Sequence, residues 1–488
     1  MSTVLKRGYG QYGKALLGFG LARTFHRPHI HRRYSVTKRV RESKLAAFVS
    51  AGYRGRALAA LTRAGADISD TIEISCAEHV MRGRLMPRAE SEWDEIVTLK
   101  LANGYNVGVS VEGCSVRVVT KYPHSEEPLT EDTLSQSSAS GPRVSLISTG
   151  GTIASRVEYE TGAVKPALEA RDLLDLVPEL HDVASVETKL LMSILSEDMK
   201  PNYWTTIAES VYSEILKAPR GVVVAHGTDT MGYTSAALSF ALEGLGIPVV
   251  FVGSQRSSDR PSSDSYLNLL SAVNFAKDAN AAGVFVCMHG TPSDSDCYVT
   301  SGVRTRKMHT SSRAAFRPVN DGLVAKASPN KIEMCGDFNA RSGGIPKLKS
   351  QFSDRAALLY SFPGLKEDLL EAVFNSGVDG VVIAGTGLGH VSSELVSKLG
   401  KLTSEGKLVF MTSQCLFGRV NMDVYTTGRR LQSAGVIPLD DMLPETAYVK
   451  LSWCLANLPK ENIAKAMREN IAGEIGSRRT WAAEGSYV

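Results

Sequence analysis

VSLISTGGTIA, residues 144–154, is a mostly apolar run that ends in a turn made of two threonines and two glycines. A run of this kind without polar alternation is typical of a strand that is buried on both faces of a sheet. Three similar runs and two helix-like stretches follow in alternation: 203–217, 222–225, 234–243, 249–252 and 284–286. Strands that alternate with helices predict an α/β unit with a parallel sheet covered by helices, which we assign to residues 143–334.

A second, smaller α/β unit is predicted for residues 356–480. Its apolar, strand-like runs begin at Ala357, Gly380 and Leu408, and helical patterns lie between them. The segment 335–355 is rich in Gly and Lys and is interpreted as a connector. The fold class predicted from these patterns is α/β, with two parallel-sheet units flanked by helices.

The segment 50–121 has a different pattern. Apolar residues at helical spacing stop at Gly65, which predicts a short amphipathic helix. Several short segments with alternating apolar and polar residues follow, and Asn103-Gly104 between two of them is typical of a hairpin turn. Closely spaced short strands predict a small β-barrel domain, and the Pro-, Ser- and acid-rich segment 122–142 has the composition of a linker.

Residues 1–49 form a basic extension. The first 41 residues contain ten Lys or Arg and no acid, so the net charge of +4 for the whole chain conceals a body that is net acidic. Three interpretations remain open: an extension without fixed structure, an RNA-binding arm, and an organellar targeting segment.

The cysteines and the apolar runs bear on the compartment. The seven cysteines are odd in number and scattered, and they form neither a CxxC pair nor a metal-ligand spacing with His. We therefore expect a reducing compartment and no metal site. No stretch approaches the roughly 20 apolar residues that a membrane helix requires, so a cytoplasmic protein without a membrane span is expected.

Two threonine-rich signatures follow predicted strands. Thr149-Gly-Gly-Thr152 and His226-Gly-Thr228-Asp229-Thr230 should therefore lie at the same edge of the sheet, where α/β proteins bind ligands. A threonine hydroxyl attacks an amide only when a neighbouring group takes its proton, and Asp at its usual pKa of about 4 is too weak a base. A desolvated lysine would complete the relay. Each signature also has an interpretation without a catalytic threonine. The first could be a tight turn or a phosphate-binding loop, and the second could be a helix N-cap.

With these residues the chain resembles the bacterial-type L-asparaginases, over roughly residues 143–475. The segments that carry the resemblance are the two signatures, Leu146–Ala154 and His226–Met231, and three further ones, Tyr159–Val164, Leu195–Met199 and Val303–Thr310. The resemblance implies that Thr152 is the nucleophile and forms an acyl-enzyme, and that Tyr159 closes over it. It also implies that Thr228, Asp229 and Lys307 form the proton relay, although Lys307 could instead belong to a solvated basic face with its neighbouring arginines.

The substrate contacts and the cofactors are implied by the same resemblance. Ser196 and Glu197 would hold the α-carboxylate and α-ammonium groups of the substrate. Glu197 could also be an ordinary helix-start acid, and Tyr159 an ordinary loop residue. No metal or organic cofactor takes part in the family's chemistry.

The segments 80–88 and 99–108 resemble the N-terminal domain of archaeal-type GatD, the asparaginase-like component of a tRNA-dependent amidotransferase. The resemblance implies a glutamine amidohydrolase that supplies ammonia to a GatE-type partner, which uses ATP and Mg to convert Glu-tRNA(Gln) to Gln-tRNA(Gln). It further implies a homodimer within a heterotetramer, with tRNA bound mainly through the partner. The acidic body agrees, because a protein that gripped tRNA itself would carry a basic face.

Two other interpretations remain. A stand-alone L-asparaginase would hydrolyse asparagine rapidly without a partner. A non-catalytic adaptor would keep the asparaginase fold and only bind a partner, since fold does not establish function.

Overall fold

The computed structural model describes residues 52–77, 79–86, 93–101, 106–121, 142–151, 155–157, 164–166, 177, 179–256 and 262–476. All of them belong to the unit Phe48–Val488. The predicted basic extension 1–49 lies outside the described residues, as do nearly all of the predicted linker and the turn at Asn103-Gly104. The boundaries of the predicted domains stay predictions.

A helix and a five-stranded antiparallel sheet form the N-terminal part. These elements are α1 Gly55–Ala64, β1 Thr71–Ser75, β2 Val80–Leu85, β3 Ile96–Lys100, β4 Asn106–Ser110 and β5 Ser115–Thr120. The strand order is β4-β3-β2-β1-β5. Helix α1 ends at Gly65, whose φ of 66° lies in the left-handed region that glycine adopts without steric cost. Leu61, Ile72 and Leu99 are fully buried in a small core between the helix and the sheet.

A disulfide between Cys76 and Cys114 joins the end of β1 to the start of β5. The cysteine pattern did not predict this bond, because the two residues are 38 positions apart and only the pairing of β1 with β5 brings them together. The expected reducing compartment did not anticipate a disulfide either. The other five cysteines are free.

The first α/β unit follows in chain order. Its strands are β6 Arg143–Gly150, β7 Ser155–Val157, β8 Val164–Pro166, β9 Ser185–Ile194, β10 Gly221–Ala225, β11 Leu242–Glu243, β12 Pro248–Val252, β13 Gly283–His289, β14 Cys297–Ser301, β15 Thr305–Lys307, β16 Phe316–Pro318, β17 Ala325–Ser328, β18 Lys331–Met334 and β19 Lys347–Leu348. Its helices are α2 Leu180–Val183, α3 Pro201–Ile215, α4 Met231–Ala241 and α5 Ser265–Asp278.

Eight of these strands form one sheet in the order β18-β17-β14-β13-β12-β10-β6-β9. The five strands from β13 to β9 are parallel, as the sequence predicts, whereas β14, β17 and β18 are antiparallel additions at the other edge. Along β10, Val222 and Val224 pack on one face and Val223 and Ala225 on the other. Both faces are covered, which explains why the strand sequence does not alternate.

The second α/β unit is smaller. It contains β20 Ala356–Tyr360, α6 Glu367–Asn375, β21 Gly380–Gly385, α7 Leu395–Ser404, β22 Leu408–Ser413, α8 Thr426–Ser433, β23 Ile437–Pro438, α9 Pro444–Asn457 and α10 Lys460–Arg468. Its four strands form a parallel sheet in sequence order. The predicted α/β architecture of both units is confirmed.

Helix α9 joins the two units. It packs against α4, and Trp453 on α9 lies next to Phe240 on α4, with ring centroids 6.1 Å apart. Lys450 of the same helix is completely buried and forms an ion pair with the equally buried Glu474. Among the helices of the described ranges, none combines the length and the apolar character needed to cross a bilayer.

The disulfide should stabilise the N-terminal sheet. Closing a loop of 38 residues stabilises a domain by about 4 kcal/mol in the chain-entropy model. For a Cys76→Ser/Cys114→Ser variant we expect the opening free energy of the β1 and β5 amides, measured by hydrogen exchange in the full chain, to fall by about 3–4 kcal/mol. A Cys335→Ser/Cys415→Ser variant, which removes two exposed free thiols, is the control. Equal protection in the two variants would show that the disulfide contributes nothing.

Candidate active site

The site is built where adjacent parallel strands end. Strand β6 pairs with β10 so that Ser148 lies beside Ala225, which places Gly150-Gly151 next to His226-Gly227. On the other side, β6 pairs with β9, and Gly151 N donates to Ile194 O over 3.2 Å. The two signatures therefore meet at one edge of the sheet, as predicted from their positions after strands.

The glycines are required because three loops approach too closely for side chains. Gly151 has a φ of +79°, and a Cβ built there would lie 2.5 Å from the Cα of Gly227. A Cβ at Gly227 would lie 2.7 Å from the Cβ of Ser196, on the loop after β9. Contacts this short do not occur between real atoms, so only glycine permits this arrangement.

The first signature contains two threonines, and the structure describes one of them. Thr149 is buried, and its hydroxyl donates to Ala225 O over 3.0 Å. This hydrogen bond connects β6 to β10. Thr152 and Tyr159 lie outside the described residues. Their roles as nucleophile and closing residue stay predictions.

Three residues of the predicted relay meet although they come from distant segments. Lys307 Nζ donates to Thr228 Oγ1 over 2.9 Å and to Asp229 Oδ1 over 2.7 Å. Thr228 is buried, the Lys307 side chain is 13% exposed and the Asp229 side chain is 65% exposed. The ammonium group is therefore partly withdrawn from water while the carboxylate faces the solvent side of the site.

The basic run around Lys307 is not a solvated face. The Arg304 side chain is 2% exposed and forms an ion pair with Asp441 of the second α/β unit over 3.3 Å. Arg306 forms an ion pair with Glu445, at the start of α9, over 3.1 Å. Each cation of the run has its own acidic partner, and the alternative interpretation of this segment is wrong for that reason.

The predicted substrate loop is held by the second signature. Ser196 is buried at the start of the short 3₁₀ turn Ser196–Asp198, and Glu197 follows it with an exposed side chain. Thr230 N donates to Ser196 Oγ over 2.9 Å, and Thr230 Oγ1 donates to Ser196 O over 2.8 Å. Thr230 was missed as a functional candidate. Its place in the signature was the available signal, but its partner 34 residues away was not visible in the sequence.

His226 stays neutral and fixes the backbone of the second signature. Its Nδ1 donates to Gly227 O over 2.7 Å, and its Nε2 is buried without a hydrogen-bond partner among the residues that the structure describes. Burial lowers the pKa of His226 to about 4, although the bond to Gly227 O opposes the shift. A neutral, enclosed imidazole is unsuited to carry a proton in the relay, which agrees with the prediction that Lys307 has this role.

A hydroxyl, an ammonium group and a carboxylate in this order can share and pass a proton. The lysine takes the proton of Thr228 only in its neutral amine form, and Asp229 then stabilises the charge that develops on it. Within the described part of the chain, no three His, Cys, Asp or Glu side chains are grouped as ligands of a metal ion. The arrangement suits nucleophilic attack on an amide.

Three family models match this chain. The model "Asparaginase, N-terminal" matches residues 143–338, and "Glutaminase/Asparaginase C-terminal domain" matches residues 355–467. The model "GatD N-terminal domain" matches residues 66–119, which contain the five-stranded sheet.

The chain is also similar to the D subunits of two glutamyl-tRNA(Gln) amidotransferases. It is 47% identical to that of Sulfolobus acidocaldarius over 427 residues, which are 87% of this chain and 95% of that protein. It is 46% identical to that of Sulfurisphaera tokodaii over 438 residues, which are 88% of this chain and 96% of that protein.

Solved structures of asparaginases share the fold. The thermostable L-asparaginase from Thermococcus kodakarensis has a TM-score of 0.63 and 33% identity, over 69% of this chain and 100% of that one. L-asparaginase I from Vibrio cholerae has a TM-score of 0.61 and 29% identity, over 69% of this chain and 99% of that one.

The loops that meet at Gly227 should leave no room for an added methyl group at this position. In a Gly227→Ala variant, the new Cβ would displace the Ser196 loop, and a displacement of about 1 Å costs about 100-fold in rate when it misaligns a reacting group. We expect ammonia release from glutamine or asparagine to fall by about that factor. Gly322→Ala is the control, because a Cβ at Gly322 meets no atom within 4 Å. Unchanged activity in Gly227→Ala would contradict the steric argument.

Removal of the Lys307 ammonium should abolish the relay. Lys307→Met keeps most of the side-chain volume, and we expect kcat for ammonia release to fall by about 10²–10⁴-fold, the usual contribution of acid–base catalysis. Lys326→Met is the matched control, because Lys326 is exposed and lies on β17, which is separated from β10 by three other strands of the sheet. Thermal unfolding midpoints distinguish lost chemistry from lost folding. A Lys307→Met enzyme with wild-type kcat would eliminate the relay.

Proposed function

Because the chain belongs to the family of glutamyl-tRNA(Gln) amidotransferase D subunits, we propose that it releases ammonia from glutamine for the amidation of Glu-tRNA(Gln) by a partner protein. The observation that carries this proposal is the match to the D subunits across the GatD N-terminal domain and both asparaginase domains together. The asparaginase structures span 69% of the chain, whereas the D subunits span 87–88%. This difference favours the amidotransferase component over a stand-alone asparaginase.

The proposed chemistry proceeds through an ester. The hydroxyl oxygen of Thr152 attacks the side-chain carbonyl carbon of glutamine, and its proton passes to the amide nitrogen, which leaves as ammonia. Water then hydrolyses the ester on Thr152 and yields glutamate. Tyr159 closes over the acyl-enzyme.

The described residues support the proton transfers and the binding of substrate. Lys307 Nζ already lies within hydrogen-bond distance of Thr228 and Asp229, so in its neutral amine form the lysine can take the proton of the Thr228 hydroxyl. Ser196 and Glu197 lie on the adjoining loop, where they are proposed to bind the α-carboxylate and the α-ammonium group of glutamine. The fixed contacts of Ser196 with Thr230 keep that loop in place before substrate arrives.

The partner is proposed to be a GatE-type protein that uses ATP and Mg, while this chain uses no cofactor of its own. The net acidic body supports binding of tRNA mainly through the partner, because phosphates require a basic surface. We also propose a homodimer within a heterotetramer, and a cytoplasmic location where aminoacylated tRNA is made.

External ammonia allows the amidation of Glu-tRNA(Gln) to be measured separately from the hydrolysis of glutamine. In the complex with its partner, Thr152→Ala should lose glutamine-dependent formation of Gln-tRNA(Gln) by at least about 1,000-fold, because the nucleophile is gone. The same complex should amidate Glu-tRNA(Gln) normally when ammonium chloride is supplied. Thr149→Ser, which keeps the structural hydroxyl that bonds to Ala225, is the matched control.

Two results would contradict the proposal. Rapid asparagine hydrolysis by the isolated chain, together with no glutamine-dependent amidation in the complex, would indicate a stand-alone asparaginase. Full glutamine-dependent amidation by Thr152→Ala would remove Thr152 as the nucleophile and leave the fold-level assignment intact.

A further inference from the structure

A chain of polar side chains lies beside the relay, at the carboxyl ends of β12 and β13. It consists of Asp264, Asn268, His289, Asp294 and Arg313, none of which the sequence marked as a site residue. The first three are completely buried. Buried polar groups are costly unless they are paired, so a connected set of this size needs an explanation.

Asp264 and Asn268 form the fixed end of the chain. The Asp264 carboxylate accepts hydrogen bonds from Ser254 Oγ over 2.9 Å and from Asn268 Nδ2 over 3.0 Å. Asn268 Nδ2 also donates to Gly253 O over 2.9 Å. Because the amide nitrogen faces these two acceptors, its orientation is determined, and Asn268 Oδ1 must face the other way.

His289 lies between two groups that can only accept hydrogen bonds. Its Nδ1 is 2.5 Å from Asn268 Oδ1, and its Nε2 is 3.1 Å from Asp294 Oδ1. An amide oxygen and a carboxylate carry no hydrogen, so both ring nitrogens of His289 have to carry a proton for both bonds to form. The geometry therefore selects the cationic imidazolium form of His289.

The charges around His289 are consistent with this form. Burial lowers the pKa of His289, whereas the hydrogen bond to the Asp294 carboxylate and the charge of Asp264 raise it, and the net shift is upward. Burial and the adjacent Cys287 raise the pKa of the Cys297 thiol well above its usual value, so Cys297 is neutral and donates to Asn268 Oδ1 over 3.3 Å. The cations on this side are two arginines of the β15–β16 hairpin. Arg313 donates to the same Asp294 oxygen that faces His289 Nε2, and Arg317 donates to Gly290 O of the same loop.

Asp294 connects His289 to the hairpin that carries Lys307. Arg313 Nη1 donates to Asp294 Oδ1 over 2.5 Å, and Arg317 Nη2 donates to Gly290 O at the start of the same loop over 3.1 Å. Arg313 lies between β15 and β16, where Lys307 pairs with Phe316. The opposite end of the network reaches the relay too, since a Cβ at Gly253 would lie 2.9 Å from Thr228 Cγ2.

We propose that His289 is a positioning residue for Lys307: its cationic form holds Asp294 in place, and Asp294 holds the hairpin loop through Arg313. When pH rises through the raised pKa of His289, one ring nitrogen loses its proton and faces an acceptor with a lone pair. The contribution of His289 is therefore complete below about pH 6.5 and is lost as pH rises through the folded-state value. The contribution of His289 to amide hydrolysis should therefore weaken on the alkaline side.

This inference rests on the proposed amidohydrolase function for its kinetic readout, and two other readouts are independent of activity. The first is the histidine titration by NMR in the full chain, with His289→Gln to assign the signal among the ten histidines. The second is the hydrogen-exchange protection of the Met308 amide, which donates to Ala315 O across the hairpin loop. We expect His289 to titrate above pH 6.5, and Met308 protection to fall over the same pH range.

Asp294→Asn removes the negative charge of the group that accepts from His289. It should move the titration of His289 and the loss of Met308 protection to lower pH. In the complex with its partner, we expect kcat/KM for glutamine to fall about three- to tenfold relative to the wild type at a pH between the two His289 midpoints measured by NMR, and to match the wild type within about twofold at a pH below both midpoints. Asp296→Asn is the matched control, because Asp296 lies on the same loop and its carboxylate accepts from Ser295 rather than from His289. It should leave both transitions unchanged.

Arg313→Gln tests the connection itself. In this variant His289 should still titrate, whereas Met308 protection and kcat/KM should no longer follow its protonation. A neutral His289 at pH 6, or Met308 protection that follows the same pH course in wild type and Asp294→Asn, would overturn the inference. Absence of glutamine hydrolysis in the wild-type complex, with both independent readouts as expected, would count against the proposed function and leave the positioning role standing.

Discussion

The parallel pairing of β6 with β10 is the constraint on which the rest of the site depends. It places two loops side by side at one sheet edge, and it brings Gly227 so close to Gly151 that position 151 does not tolerate a side chain. Position 227 does not tolerate one either, because it also contacts the Ser196 loop. The Thr149 hydroxyl closes the same contact by bonding to Ala225. The Ser196 loop packs against the same contact through Gly227, so the described glycines and Thr149 contribute to the shape of the site.

The lysine is held by contacts with both α/β units. Arg304 and Arg306, its neighbours on the chain, form ion pairs with Asp441 and Glu445 of the second unit, so the short strand β15 is anchored on the side away from the relay. A buried ion pair contributes little net stability, but it penalises any arrangement that separates its members. The position of Lys307 is thereby coupled to the packing of the second unit against the first. The smaller unit thus contributes to the position of Lys307, although its described residues supply no member of the predicted relay.

The GatD-type N-terminal domain distinguishes this chain from the asparaginases whose fold it shares. The geometry of Thr228, Lys307 and Asp229 does not by itself distinguish a free amidohydrolase from an ammonia-supplying component of a complex. The distinction rests on the additional domain and on the similarity to D subunits over nearly the whole of their length. Its sheet carries the disulfide, so it has a source of stability that does not depend on the α/β units.

The sequence by itself determined the strands, the glycine turns and the segments that supply the relay. Runs such as 222–225 have the period of a doubly buried strand, and turn glycines have a local steric cause, so both can be read from a short window of residues. The meeting of Thr228 and Asp229 with Lys307, almost 80 residues away, was expected only from family resemblance. Tertiary structure alone decided that Arg304 pairs with Asp441, that Thr230 holds Ser196, that Cys76 bonds to Cys114 and that His289 lies between two acceptors. These partners lie far apart in the chain or depend on burial and amide orientation, and such properties are set by packing rather than by any local pattern.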